Sequence, residues 1–408
     1  MEFLKGNAIV GQSGGPTAAI NATLSGVIRG AFEHFDVIKK IYGMRNGIEG
    51  FLEERIVDLT EFFEDTTKLD TLELTPAAAL GSCRKKLRDF ESDRETYERL
   101  LSLFKKYDIR YFFYIGGNDS MDTVLKLSKF MEDHSYEMRI IGVPKTVDND
   151  LAATDHTPGF GSAAKFVATT IKEILRDVNV YTVKAVTIVE IMGRDAGWLT
   201  ASAALPILSG GVGPDLVYLP ESVFDIEKFL VDVKRCLDDH PAVLVAVSEG
   251  IKLADGEYVG ASGSVVDAFG HKALSGAGKV LENIVKERIG CKVRSIELNL
   301  PQRCAAHIAS LTDIRESVGV GKAAVECALA GKTAQMMIIN RKNAAEYSVS
   351  FGSADISGIA NAVKSVPKEY INEDGNGVTD ECLDYLAPLI IGEVFPRYEN
   401  GMPAHIVI

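Results

Sequence analysis

The segment Pro144-Lys145-Thr146-Val147-Asp148-Asn149-Asp150 holds two carboxylates and an ammonium within six consecutive positions. An aspartate near a lysine stays ionised and can accept a proton from a hydroxyl. The lysine can neutralise charge on a phosphoryl group as it transfers. A solvated polar turn with an internal ion pair accounts for the same residue types, because Asp and Asn favour turns. The segment alone leaves both readings open.

Five other clusters carry related chemistry. Gly11-Gln12-Ser13-Gly14-Gly15-Pro16-Thr17 lets the backbone approach an anion at a helix start. It matches neither GxGxxG nor GxxxxGK[ST], and a tight turn that binds nothing is the alternative. In Gly116-Gly117-Asn118-Asp119-Ser120 a carboxylate follows paired glycines. It repels phosphate unless a divalent metal bridges the two; alternatively Asn118, Asp119 or Ser120 caps a helix. Met192-Gly193-Arg194-Asp195 offers a guanidinium that can clamp a phosphate or pair with Asp195. Glu249, in Ser248-Glu249-Gly250, can accept from sugar hydroxyls or cap a turn. Arg294 and Arg303, flanking Ile296–Leu300, suit a phosphate ester or form ordinary surface charges. The one tryptophan, Trp198, reads as core rather than as a ligand platform.

The framework that must hold these clusters shows as a rhythm. Asn7–Val10, Tyr111–Ile115, Arg139–Val143, Ala185–Ile191 and Ala242–Val247 are short apolar runs, each leading into a turn that carries a cluster. Such runs fit strands buried on both faces of a parallel sheet. Helical patterns lie between them, as at Asp122–Glu132 and Ser162–Asp177. The alternation predicts an α/β fold of βαβ units, whose ligands sit at the carboxyl ends of strands. Ser262–Gly278 and Glu373–Gly377 are the loosest stretches, and the first is expected to be a mobile surface segment.

A chain of 408 residues fits two or three domains, and 46% hydrophobic residues can fill their cores. The net charge of -13 argues against nucleic acid or an anionic membrane as partner. It leaves room for an anionic small substrate whose cations are recruited individually. Six cysteines without a CxxC pair and seven histidines without HExxH predict reduced thiols in a cytosolic enzyme and no zinc site. No signal peptide and no apolar run of about 20 residues is evident, so a cytoplasmic location is expected.

Taken in order, SGG, GG-x-D-S, P-K-T-x-D-N-D, M-G-R, S-E-G and P-Q-R resemble the phosphofructokinase family from about Gly6 to Gly321. The resemblance implies two Rossmann-like three-layer αβα domains with mainly parallel sheets and the active site in the cleft between them. A larger donor domain would comprise 1–160 plus about 304–360, and a smaller sugar domain 161–303 plus about 361–408. It further implies phosphoryl transfer to the C1 hydroxyl of fructose 6-phosphate. Asp148 matches the family's proton acceptor, and Thr146 and Asp150 match its neighbours at the transferring group. Gly14, Gly15 and Arg84, the last in a G-S-x-R match, would face the donor phosphates. Met192, Gly193, Arg194 and Glu249 match the positions that hold the sugar. Arg294 and Arg303 match cations at the 6-phosphate, one typically supplied by a neighbouring subunit of a homodimer or homotetramer. Leu300 stands where the family often has an aromatic or His, and Ala185, next to Lys184, where it has a cation.

The ATP-using branch of that family resembles GGDG-S and P-G-T-I-D-N-D. Here Asp119 and Lys145 replace two glycines of those motifs. A carboxylate at 119 takes space and charge that the α-phosphate of ATP needs, and an unpartnered like-charge contact is costly. Lys145 adds a cation beside the transferring group. Both changes resemble the pyrophosphate-dependent branch. Asn118 replaces the family's magnesium-binding carboxylate, and Asn118 with Asp119 is expected to hold Mg²⁺. The reading is reversible transfer from diphosphate to fructose 6-phosphate, catalysed by Asp148, Lys145 and Asp119. An ATP-dependent enzyme and one using sedoheptulose 7-phosphate are the alternatives.

Overall fold

Ala8 and Val10 pack into one apolar cluster, and Ile9 between them packs into another. Phe113 and Ile115 alternate with Phe112 and Tyr114 in the same way. A strand whose successive side chains enter two different cores must be covered on both faces. The computed structural model, which describes residues 3–180, 182–266, 272–274, 276–342, 346–359 and 362–408, has this arrangement in two sheets.

Among the described residues the strands of three or more residues are β1 Gly6–Gln12, β2 Ile38–Met44, β3 Ile56–Asp58, β4 Ile109–Gly116, β5 Arg139–Pro144, β6 Ala185–Ile191, β7 Leu216–Tyr218, β8 Ala242–Ser248, β9 Ala261–Val266, β10 Lys272–Leu274, β11 Lys292–Glu297, β12 Gln335–Arg341 and β13 Val349–Asp355. The larger sheet runs β13-β12-β5-β4-β1-β2-β3, and the smaller β11-β6-β8-β7. Only the edge pairs β2–β3 and β12–β13 of these two sheets are antiparallel. β9 and β10 form a separate antiparallel pair. The α/β class with mainly parallel sheets is therefore observed, and the five apolar runs all became strands, lengthened by up to three residues. Arg294 lies inside strand Lys292–Glu297, and Arg303 follows it on the short helix Pro301–Cys304. The expected mobile stretch Ser262–Gly278 includes 267–271 and 275, which lie outside the described residues.

In the larger sheet the chain leaves β1 toward β2 on one side and returns through β4 on the other. This reversal of winding opens a crevice at the carboxyl ends. Register brings the turns after β1, β4 and β5 to one edge, since Gln12 pairs with Ile115 and Gly116 with Pro144. In the smaller sheet Ile191 pairs with Ser248, which aligns the turns after β6 and β8.

Residues after the smaller sheet return to the larger one. Helix Leu311–Leu329 lies against helix Ile20–Phe32 at glycine contacts: a Cβ on Gly26 would meet the Val318 carbonyl oxygen at 2.2 Å, and one on Gly321 the Thr23 carbonyl oxygen at 2.3 Å. The last segment serves both halves. Val366, Cys382 and Leu386 pack against the smaller sheet's cluster, and Ile408 reaches the larger sheet's core.

Candidate active site

The turns at the carboxyl ends of the two sheets enclose a cavity of about 560 Å³. From the larger sheet it is lined by Gly14, Gly15, Arg84, Asn118, Asp119, Lys145, Thr146, Asp148 and Asp150. Met192, Arg194, Glu249 and Arg303 line the opposite wall. Gly14 and Arg303, 289 positions apart in sequence, thus share one chamber.

The reading of segment 144–150 as a solvated turn does not survive. Lys145 is 3% exposed, and its Nζ donates to the Gly15 carbonyl at 2.5 Å. Its amide donates to the Gly116 carbonyl, which joins the turns after β4 and β5. Burial pushes the Lys145 ammonium down to about 8, while Asp148 and Asp150 favour its charge. Burial likewise pushes Asp148 up, to about 7, reinforced by repulsion from Asp150 and Glu249 and opposed by Lys145 and Arg194. Asp150 is also raised, chiefly by burial, with hydrogen bonds from its own amide and from Thr146 acting the other way. A carboxylate tuned toward neutrality beside a cation is poised to take a proton at working pH.

The glycines after β1 make room for cations. Gly14 adopts φ 78°, in the left-handed region. A Cβ there would stand 3.4 Å from Lys145 Nζ, and a Cβ on Gly15 would stand 3.3 Å from Arg303 Nη1. The turn is braced from below, since Ser82 Oγ donates to the Gly14 carbonyl at 2.6 Å. Lys145, Arg303 and Arg84 thereby converge on one glycine turn, and Arg303 is lowered by burial and by the facing Arg84.

Capping does not explain Asn118, Asp119 and Ser120. Helix Asn118–Asp133 begins after Gly117 with no side-chain cap. The buried Asn118 Oδ1 has no hydrogen-bond partner. Asp119 is partly exposed and pairs with Lys86 at 2.9 Å. An orphaned amide oxygen beside a carboxylate suits a hard cation, which takes oxygen ligands. Among the described residues no group of three or more His, Cys, Asp or Glu forms a protein-only cage. Two oxygen donors lining the cavity could serve a divalent cation that keeps waters and is shared with a ligand.

On the other wall, Gly193 donates its N–H to Glu249 Oε1 at 3.2 Å, and Met192 donates to Gln302 Oε1 at 3.3 Å. Burial raises Glu249. Arg194 Nε is buried without a partner, which leaves a donor for a ligand. Asp195 turns away from Arg194 to Lys252, at 3.3 Å. Trp198 is 3% exposed, and its Nε1 donates to the Lys364 carbonyl, so it is core as expected.

Arg294 is not brought into this cleft. It is exposed, pairs with Thr187 across β11 and β6, and lines a separate depression with Asp177 and Val178. Sequence reasoning missed Lys85, Lys86 and Val363, which also line the cavity. The basic run Arg84-Lys85-Lys86 was a usable signal. Val363 offered none, because its segment carries no motif and arrives from beyond the matched region.

Comparison with known proteins agrees with the geometry. Residues 7–328 match the family model described as phosphofructokinase. The chain is 44% identical to the pyrophosphate–fructose 6-phosphate 1-phosphotransferase of Halomonas elongata, covering 97% of this chain and 94% of the relative. It is 42% identical to the protein of that name from Methylococcus capsulatus, with 98% and 96% coverage. The crystal structure of a pyrophosphate-dependent phosphofructokinase from Nitrosospira multiformis superposes with a TM-score of 0.89 at 42% identity, covering 98% and 96% of the two chains.

Proposed function

The chain belongs to the phosphofructokinase family, and from that premise we propose that it catalyses reversible transfer of a phosphoryl group from diphosphate to the C1 hydroxyl of fructose 6-phosphate, giving phosphate and fructose 1,6-bisphosphate. The observation that carries the choice of donor is Lys145, buried with its ammonium on the Gly15 carbonyl and flanked by Asp148. A member that used ATP would have a glycine there.

Asp148 takes the C1 hydroxyl proton as that oxygen attacks the terminal phosphorus of diphosphate. The P–O bond to the leaving phosphate breaks, and its electrons stay on that phosphate. Lys145, with Arg84 and the Gly14-Gly15 turn, stabilises charge on the transferring group and the leaving phosphate. Thr146 supports Asp150, and Asp150 keeps Asp148 basic through like-charge repulsion. Met192, Gly193, Arg194 and Glu249 orient the sugar, and Arg303 meets its 6-phosphate. Asn118 and Asp119 would hold Mg²⁺, which when bound neutralises diphosphate charge. Arg294, exposed on an edge strand, would serve the cleft of a neighbouring copy in a homodimer or homotetramer. We assign 1–160 with about 304–360 to the donor half and 161–303 with about 361–408 to the sugar half. The reaction is assigned to the cytoplasm; among the described residues no helix is long and apolar enough to cross a membrane.

The test is a parallel assay of fructose 6-phosphate phosphorylation with diphosphate and with ATP. Turnover with diphosphate alone is expected. Turnover with ATP and none with diphosphate overturns the donor assignment. Sedoheptulose 7-phosphate in the same assay measures the tolerance for a longer sugar.

A further inference from the structure

Asn149 lies between Asp148 and Asp150, so its backbone conformation sets the direction of both carboxylates. It is fully buried and adopts φ 53°, in the left-handed region that Asn tolerates better than most residues. Its side chain is held at both ends. Nδ2 donates to the Tyr385 hydroxyl at 2.9 Å, and Oδ1 accepts from Lys364 Nζ at 3.1 Å.

Lys364 makes a fuller set of contacts with this loop than any single hydrogen bond would require. Its Nζ also donates to the carbonyls of Thr154, at 3.2 Å, and Asp155, at 2.6 Å. An ammonium has three protons, and all three find acceptors here. Its backbone N–H donates to the Asp150 carbonyl at 2.8 Å, and the adjacent Val363 bridges to Leu151. Lys364 is itself fixed from the smaller lobe: its carbonyl accepts from Trp198 Nε1 at 3.0 Å, and its Nζ stands 5.3 Å over the Trp198 ring. Tyr385 closes the arrangement by donating to the Asp155 carbonyl at 2.6 Å.

We propose that Lys364 is a positioning residue for phosphoryl transfer, clamping Asn149 and the turn Thr154–Asp155 so that Asp148 and Asp150 are presented to the cleft. The proposal rests on the reading of Asp148 as the proton acceptor. The clamp has an electrostatic side. The charged groups facing Lys364 are Asp155, Asp150 and Arg341; burial pushes its ammonium down to about 8, and the two carboxylates hold the charge in place. Lys364 in turn lowers Asp150, whose charge repels Asp148 more than that of Glu249 does.

Two variants of the full chain test this. Lys364→Met keeps the volume and removes all three side-chain hydrogen bonds. Tyr385→Phe removes one hydroxyl and decides the matter if the first variant does not fold. Lys364→Met is expected to lower kcat about 10- to 100-fold with KM for fructose 6-phosphate within about threefold of wild type, since loss of orientation acts on the chemical step. The acid limb of its pH profile moves to lower pH, because Asp150 without its facing cation protonates more readily and repels Asp148 less. Amide hydrogen exchange at Asn149–Leu151 becomes faster. Tyr385→Phe shows a smaller loss of kcat and faster exchange at the same amides. A kcat within about twofold of wild type overturns the proposal, as does a loss accompanied by unchanged pH profile and unchanged exchange. If the wild-type protein transfers nothing from diphosphate, the functional reading falls separately, and exchange alone decides the clamp: unchanged protection in both variants overturns it.

Discussion

Lys145 at the end of β5 donates its ammonium proton to the carbonyl of Gly15 in the turn after β1, at 2.5 Å. The contact joins two turns 130 residues apart and sets the cation against the backbone that would cradle a diphosphate. Burial that lowers the ammonium to about 8 also removes competing water. Lys145→Met should therefore lower kcat with diphosphate about 10²- to 10³-fold, the usual loss for one pre-oriented donor. Steady-state rates at saturating sugar phosphate check this. Asp119→Gly combined with Lys145→Gly should abolish diphosphate use; retention of it would falsify the donor argument.

Asp148 should show its base role as a kcat effect. Asp148→Asn keeps the shape and removes proton acceptance, so kcat should fall about 10²- to 10⁴-fold with little change in KM for fructose 6-phosphate. An equal loss in binding, measured by titration calorimetry, would reassign the residue to substrate binding.

The pH profile follows from burial and like charge. Asp148 must be ionised to act, so activity should rise with pH through about 7. Lys145 must be charged, so activity should decline above about 8. The carboxylates titrate as a pair. Asp150→Asn removes a like charge that raises Asp148, so the acid limb should move to lower pH. An unmoved limb in the kcat/KM profile would show that another group sets it.

Metal use should depend on Asn118. Its Oδ1 is buried and unpartnered among the described residues, and the adjacent Asp119 pairs with the half-exposed Lys86. Asn118→Leu should raise the Mg²⁺ concentration for half-maximal rate by about 10-fold, the low end of what supporting ligands contribute. Unchanged Mg²⁺ dependence would leave the orphaned oxygen without a role.

Outside the site, Gly321→Ala should destabilise the fold. The added Cβ would meet the Thr23 carbonyl oxygen at 2.3 Å, and backbone cannot rotate away as a side chain can. A cost of about 1–3 kcal/mol is expected from overpacking, read as a lower urea midpoint.

The sequence by itself determined the local facts. Apolar runs ending in glycine turns fixed strand and turn, because continuous burial and free backbone rotation are properties of a few adjacent residues. Motif order then named Asp148, Lys145, Arg194 and Glu249 in one chamber, which the cavity joins. Tertiary structure decided what depends on approach between distant segments. It showed that Asn118 caps nothing, that Asp195 faces Lys252 rather than Arg194, and that Arg294 points away from its own cleft. It also showed Lys364 behind Asn149, though 215 residues separate them. A lysine in a segment without periodicity or glycine punctuation carries no local mark of its partner. Only the return of the chain's end across both sheets creates the three acceptors that its ammonium fills.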